Sequence, residues 1–566
     1  MNTFRISNRL LTLCLGLGLA LLCLGSRAWL PDHSAAMAPP VLDGLPPEEW
    51  QAIQSQIAKL IAGDGAEADV FGTSVSVNGD TAVVGAIYAD IDGNENQGAA
   101  YVFSRNQGGT NAWGQVTKLS APGTAWDCFG WSVSVSGDTI VVGSPWADVG
   151  SNGDQGAAYV FYRNQGGTDA WGQVAKLTAA DGAAWSGFGW SVALSGDIAV
   201  IGSNADVYPN LRQGAAYVFY RHQGGTDKWG QVAKLTAADG ATQDYFSYSV
   251  SVSGDRIVIG AYLADVGDNE NQGAAYIFYR DQGGANAWGQ VAKLTAADGA
   301  MQDFFGSSVA ISNDMAFIGA RSADGDSEVD QGAVYVFYRN QGGTDAWEQL
   351  FKLTAADGTE NDLFGNSLSV DGETVVVGAQ YADIDGNENQ GAAYVFHRNV
   401  GGVDAWGQVD KLVASDGIAR DIFGRSVAIS GSTMIVGASS ADINGSVNQG
   451  AAYIFQSEAC VPLTDVSLVG PIGITTTLYI GTAYHFQAVI TPVNATPPIT
   501  YTWTPTPATG QGTTDAVYRW MTPGTYTTTL TAENCPAPST VVTATKQVVI
   551  EWRELHFIYL PLVQKK

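Results

Sequence analysis

The heptapeptide QGAAYVF at residues 97–103 returns, with small changes, at 155–161, 213–219, 272–278, 331–337, 390–396 and 449–455, in steps of 58 or 59 residues. A fixed period with seven copies is the signature of a repeat architecture, in which one unit cannot bury its apolar face alone and must stack on its neighbours. Each unit holds four short extended stretches. In the second unit these are GWSVSVS (130–136), TIVVG (139–143), GAAYVFYR (156–163) and GQVAKLT (172–178). The first alternates small polar residues with Val, the period of a strand with one face buried. The second is a continuous β-branched run, as in a strand covered on both faces. Ser136-Gly137-Asp138 between them is a tight hairpin turn.

Seven units of four strands predict an all-β chain whose units stack radially as a seven-bladed β-propeller, an arrangement that leaves only short sheet edges. The GQVAKLT strand follows six of the seven QGA strands, after Trp113, Trp171, Trp229, Trp288, Trp347 and Trp406, and is missing after Phe455. The stretch around Ile57 and Ile61, ahead of the first Phe-Gly, is the spare copy. It is expected to supply the outer strand of the last blade, so that the N-terminal strand closes the ring and removes an edge that would invite aggregation.

The pairs Phe71-Gly72 with Gly85-Ala86, Phe129-Gly130 with Gly143-Ser144 and Phe188-Gly189 with Gly202-Ser203 resemble FG-GAP repeats. So do Phe305-Gly306 with Gly319-Ala320, Phe364-Gly365 with Gly378-Ala379 and Phe423-Gly424 with Gly437-Ala438. The fourth unit departs, with Phe246-Ser247 before Gly260-Ala261. The resemblance implies the seven-bladed propeller of integrin alpha subunits, in a bacterial variety. Integrin-type repeats that bind calcium carry a D-x-D-x-D-G-like loop between the Phe-Gly and Gly-Ala strands. Here that loop is only Val77-Asn78-Gly79-Asp80 or Val135-Ser136-Gly137-Asp138, too short to carry calcium over to those positions.

Outside the repeats the chain divides as follows. Arg5 and Arg9, the apolar run 10–24 and Ser26-Arg27-Ala28 read as a signal peptide over 1–28, the alternative being a retained anchor. Residues 29–45 form a Pro/Ala-rich linker, 46–456 the propeller, 460–552 a further domain and 553–566 a C-terminal tail. The further domain is Thr- and Pro-rich with period-two strands. Its Pro523-Gly524-Thr525-Tyr526 followed by Leu530-Thr531-Ala532 resembles the end of a PKD or immunoglobulin-like β-sandwich, although the usual PKD turn after Trp503 is absent. Cys14 and Cys23 fall in the signal, leaving Cys128, Cys460 and Cys535. A disulfide between Cys460 and Cys535 would close a loop of about 75 residues, worth about 4 kcal/mol in the chain-entropy model; two free thiols is the alternative. The tail HFIYLPLVQKK is either a sorting or attachment signal or a last edge strand.

The net charge of −28 over 566 residues, with pI near 4.3, excludes the basic footprint of a nucleic-acid-binding protein. It suits a soluble extracellular protein or a collector of divalent cations. An antiparallel meander sends alternate loops to opposite faces. One face collects the between-blade acids Asp64 and Asp69, Asp239 and Asp244, Asp298 and Asp303, Asp357 and Asp362, Asp416 and Asp421. It also collects the loops before QGA, with Asp90, Asp92 and Asn94, with Asp265 and Asp268, and with Asp383, Asp385 and Asn387. Oxygen ligands alternating around a Gly turn are what Ca2+ uses, so these eight residues are candidate metal ligands, although the distal bidentate Glu is lacking. The other reading is that Asp and Asn cap turns through their own backbone. The third blade, at 206–210, is expected to be empty either way.

The opposite face carries Arg105, Arg163, Arg221, Arg280, Arg339 and Arg398. These are read either as local ion pairs with loop acids such as Asp169, Asp227, Asp345 and Asp404 or as a ring gripping an anionic glycan. For catalysis the chain is poor. Its histidines, His33, His222, His397, His485 and His556, have no metal-ligand spacing, and no G-x-S-x-G elbow precedes a helix. Near-identical repeats give paired carboxylates the same environment, whereas acid/base work needs two unlike ones.

The expectation is therefore a monomeric secreted or cell-surface binding or adhesion protein, not an enzyme. No catalytic or cofactor-binding residue is expected beyond the candidate Ca2+ ligands. The partner would be an extracellular protein or glycan held on the acidic face, with no nucleic acid and no transmembrane span after signal removal. An extracellular carbohydrate-active hydrolase and a structural cell-envelope component are the alternatives.

Overall fold

In the computed structural model the described residues are 54–457, apart from 205–210, 326–328, 342 and 401–403, and beyond them 465–469, 478–479, 484–491, 500–505, 507, 515–519, 521–522, 524–534 and 540–551. The signal, the linker, the third-blade loop at 206–210, the C-terminal tail and both Cys460 and Cys535 lie outside them. No helix occurs among the described residues, so none is long and apolar enough to cross a membrane.

The repeats form seven four-stranded antiparallel sheets. A first strand β1 (Gln54–Leu60) precedes the blade built from β2 (Phe71–Asn78), β3 (Thr81–Ala86), β4 (Ala99–Ser104) and β5 (Gly114–Leu119), ordered β2-β3-β4-β5. Every residue of β3 is buried, as its apolar run requires. The inner strands equivalent to β2 pack on one another from blade to blade. The core consists of layers between blades: Val83 and Val102 of the first meet Phe129, Val142 and Tyr159 of the second.

The recurring motif residues hold one another. Phe71 is fully buried, 5.5 Å from the Tyr101 ring and 6.0 Å from the Phe103 ring, both edge-on. The Phe of every Phe-Gly repeats this pair of contacts. A Cβ on Gly85 would lie 2.0 Å from the Gly130 carbonyl oxygen of the next blade, so only glycine lets the blades meet. Ser74 Oγ donates to that same carbonyl at 2.8 Å. The bond recurs from Ser132, Ser191, Ser249, Ser308 and Ser367, and the seventh runs from Ser426 to Gly72 of the first blade at 2.8 Å. β1 pairs with the third strand of the seventh blade, Ala451–Ser457, in the register Lys59 to Tyr453 and Leu60 to Ala452.

Ser247, which stands where the other units have glycine, keeps the left-handed backbone at φ 72°. Its buried hydroxyl donates to the Ala215 carbonyl at 2.7 Å and accepts from the Ser203 N–H at 3.0 Å.

Beyond the repeats, one sheet joins Asp465–Val469, Tyr484–Thr491 and Asp515–Tyr518. A second joins Leu478–Tyr479, Thr540–Glu551, Gly524–Asn534 and Thr500–Thr504. Trp503 of the second is buried with its ring 6.4 Å from Tyr518 of the first.

Candidate functional site, an aromatic cavity beside the inner strands

The loops proposed for calcium are miniature hairpins. Ile91 and Asn94 exchange backbone hydrogen bonds around Asp92 and Gly93, whose φ values of 51° and 89° are both positive, as a type I′ corner requires. Ile384 and Asn387 do the same around Asp385 and Gly386. In the fourth blade the corner is Gly267-Asp268, with only the Gly at positive φ, the type II′ arrangement. Asp90, Asp265 and Asp383 each accept the backbone N–H six residues on, of Asn96, Asn271 and Asn389, at 2.8 Å. Asn94 and Asn387 donate to Gln97 and Gln390, and buried Gln97 reaches the Ala121 carbonyl of the following loop.

These side chains do not fit a calcium shell. The first carboxylate caps its own loop, the Asn turns its amide to the QGA glutamine, and the corner carboxylates of Asp92, Asp268 and Asp385 are exposed. Among the described residues no three His, Cys, Asp or Glu side chains converge.

The between-blade acids are also structural. The first of each pair meets a lysine of the neighbouring outer strand: Asp64 with Lys118 at 2.8 Å, Asp239 with Lys293 at 2.6 Å, Asp298 with Lys352 at 2.7 Å, Asp357 with Lys411 at 2.6 Å, Asp416 with Lys59 at 2.7 Å, and Asp181 with Lys234. Burial pushes the Asp181 carboxyl up, but its bonds to Lys234 and Tyr217 outweigh this and hold it below the ordinary carboxylate range. The second of each pair is buried and accepts a backbone N–H three residues back, as Asp303 does from Ala300 at 2.8 Å. Burial raises Asp69, Asp127, Asp244, Asp362 and Asp421, and raises Asp303 to about 6.

On the opposite face the arginines are neutralised locally. Arg105 pairs with Asp80 at 3.0 Å, Arg221 with Asp227 at 2.7 Å, Arg339 with Asp314 and Asp345, and Arg398 with Glu373 and Asp404. Arg163 takes Asp138 at 3.0 Å rather than the expected Asp169, and Arg280 binds Asn286.

The units differ most where the inner strands begin. The residue after Phe-Gly is in turn Thr73, Trp131, Trp190, Tyr248, Ser307, Asn366 and Arg425. Six of these seven border a cavity of about 540 Å³, together with Phe304, Arg321, Leu363 and Gln380 from adjoining positions. It opens at the strand ends that carry the acidic loops. Its lining aromatics Trp131, Trp190, Tyr248 and Phe304 belong to a continuous run that takes in Trp146 and Tyr262 behind them: Trp131 lies 4.7 Å from both Trp146 and Trp190, Trp190 5.9 Å from Tyr248, Tyr248 4.1 Å from Tyr262, and Tyr262 5.9 Å from Phe304. Burial pushes the Tyr262 hydroxyl up to about 12, with Tyr248 adding to it and Arg321 opposing.

The Arg321 guanidinium lies 5.4 Å from the Tyr262 centroid and 5.2 Å from that of Phe304, and donates to Tyr248 Oη at 3.4 Å. Arg425 donates to Gln380 Oε1 at 3.3 Å. In the same between-blade loops Trp126 and Trp185 are 55% and 66% exposed at φ 70° and 66°. Ala68, Gln243, Gln302, Asn361 and Arg420 take the same left-handed backbone at the equivalent position of the other blades, so the turn belongs to the repeat, and what sets Trp126 and Trp185 apart is a large aromatic side chain left in water.

An FG-GAP repeat model matches residues 54–103, 113–161, 171–219, 229–278, 288–337, 347–396 and 406–455, more than half of the chain. The chain belongs to the FG-GAP repeat family. No curated protein matches it. Among solved structures it is similar to the periplasmic gluconolactonase of Pseudomonas aeruginosa at 14% identity and a TM-score of 0.40, over 61% of this chain and 86% of that one.

Within the FG-GAP pattern the cavity residues are easy to pass over. They sit beside the motif rather than in it, and composition counts them as core. The signal that finds them is divergence in an otherwise near-constant repeat: three columns, before Phe-Gly, after Phe-Gly and after Gly-Ala, collect Tyr245 and Phe304, then Trp131, Trp190 and Tyr248, then Tyr262 and Arg321.

Proposed function

We propose that this FG-GAP chain is a secreted or cell-surface binding protein whose ligand, an extracellular protein or glycan, seats in the aromatic cavity. In this reading the seven blades form a ring closed by β1. The pairing of β1 with Ala451–Ser457 and the Ser426 to Gly72 bond support closure. The C-terminal sheets are read as an immunoglobulin- or PKD-like sandwich, supported by Trp503 and Tyr518 meeting between them. Secretion rests on the signal-like N-terminus. Binding is expected to need no calcium, because Asp90, Asp265 and Asp383 already cap their own turns while Asp92, Asp268 and Asp385 stand exposed at the corners.

The observation that carries the reading is the broken symmetry. Seven near-identical blades put Trp131, Trp190, Tyr248 and Phe304 on one cavity, backed by Trp146 and Tyr262 packed against those rings, with exposed Trp126 and Trp185 in the adjoining loops. Structural variation would scatter such substitutions, whereas aromatic anchors gathered in one concave site are how binding energy is concentrated. A glycan and extracellular-matrix protein array, run with wild type and with Trp190→Ala, tests it. Binders of the wild type are expected to lose about tenfold or more in the variant. Binding unchanged in Trp190→Ala would overturn the assignment of the site.

A further inference from the structure

Resting on that reading of the cavity, we infer that its ligand is a carboxylated saccharide, a uronate-bearing oligosaccharide, with its sugar faces on the aromatic wall and its carboxylate between Arg321 and Arg425. The chain carries a net charge of −28, and of the nine other arginines on the blades seven are matched to an acid, while Arg212 and Arg280, outside the cavity, bind Tyr245 and Asn286. Arg321 and Arg425 both line the cavity, and neither has a carboxylate within 4.0 Å among the described residues. Their present contacts are neutral: Tyr248, the faces of Tyr262 and Phe304, and the Gln380 amide.

Half-buried guanidiniums left without acids in so acidic a molecule are poised for an anion. A planar carboxylate is the group whose geometry the guanidinium fork matches, and the bond is charge-assisted. Stacking on aromatics also holds Arg321 in place before the ligand arrives, lowering the cost of ordering it.

The rest of the lining selects the body of the ligand. One side is aromatic, and the other offers hydroxyl and amide groups from Thr73, Ser322, Asn366 and Gln380. A ligand that fits both sides has an apolar face and many hydroxyls, which describes a pyranose ring: its axial C–H face stacks on indole while its hydroxyls meet polar groups. The volume of about 540 Å³ has room for a short oligosaccharide. The exposed indoles of Trp126 and Trp185 would extend the stacking surface beyond the cavity.

The test is a tryptophan-fluorescence titration of the full chain with trigalacturonate and triguluronate, and with their methyl esters, which keep the sugars and remove the charge. At least one acid is expected to quench the fluorescence saturably, with its ester about tenfold weaker. Arg425→Gln and Arg321→Gln should each weaken the acid about tenfold and leave the ester unchanged, with Tm measured to confirm folding; Arg425, in contact with a single amide, is the safer of the two. Trp190→Ala should weaken acid and ester alike. Acid and ester binding equally, Arg425→Gln without effect, or no quenching by either acid would each overturn the carboxylate proposal. In the first two cases, sensitivity to Trp190→Ala would leave the cavity standing as the binding site, whereas insensitivity would remove both.

Discussion

At the residue scale, the same few contacts decide where variation is tolerated. Gly85 faces the Gly130 carbonyl at a separation no Cβ accepts, so Gly85→Ala should cost more than about 2 kcal/mol in chemical denaturation by forcing two blades apart. Ser247 shows the one substitution the motif absorbs, because its hydroxyl gains two buried partners in return for a strained φ. Ser247→Ala keeps the strain and loses both bonds, and should destabilise by about 2 kcal/mol. Ser247→Gly, which restores the family residue, should stay within about 1 kcal/mol of wild type. Loss of comparable size in both variants would contradict this account. Cys128 has a buried thiol pushed up to about 12, by burial first and then by Asp127, so it should resist thiol reagents in the folded state.

At the element scale, β1 and the hairpins carry different lessons. The period, the four strands per unit and the spare copy of the outer strand were all legible, because strand patterning and repeat length are local properties. Deleting residues 54–60 should expose the edge of Ala451–Ser457 and produce a lower Tm together with self-association in size-exclusion chromatography. The chemistry of the loops before QGA was less legible. Asp-x-Asp-Gly can read as ion ligands or as corners, and only backbone angles separate the two. Asp92-Gly93 and Asp385-Gly386 take the type I′ corner, while Gly267-Asp268 takes the type II′ corner, so the shifting position of the Asp follows turn type. Accordingly EDTA should leave Tm unchanged, and a stabilisation by millimolar Ca2+ that EDTA reverses would contradict the capping account.

At the scale of the whole molecule, the acids set the response to pH. Burial raises the folded pKa of Asp303 to about 6 and also raises those of Asp69, Asp127, Asp244, Asp362 and Asp421, so the contribution of these acids is complete below the ordinary carboxylate value of 3.8 and is lost as pH rises, through about 6 for Asp303. The lysine-paired set is lowered, so its contribution is present above 3.8 and is lost as pH falls below it. Self-repulsion from a net charge of −28 also relaxes on acidification. Tm should therefore rise as pH drops from about 7.5 to about 5 and fall again below about 4. A Tm that declines steadily from neutral pH would oppose this assignment.

The same scale explains why the site was harder to read than the fold. Binding was expected from the acidic face as a whole, but its between-blade carboxylates and the first Asp of each hairpin loop are committed to lysines, tyrosines and loop N–H groups. What distinguishes that face is the arc of Trp131, Trp190, Tyr248 and Tyr262, which becomes one surface only when residues about 58 positions apart are brought side by side. The most direct measurement is a crystal structure of the full chain with a ligand selected from the array. Ligand density against Trp190 and Arg321 is the predicted result, and density seated on the Arg105 and Arg398 face with the cavity empty would contradict it.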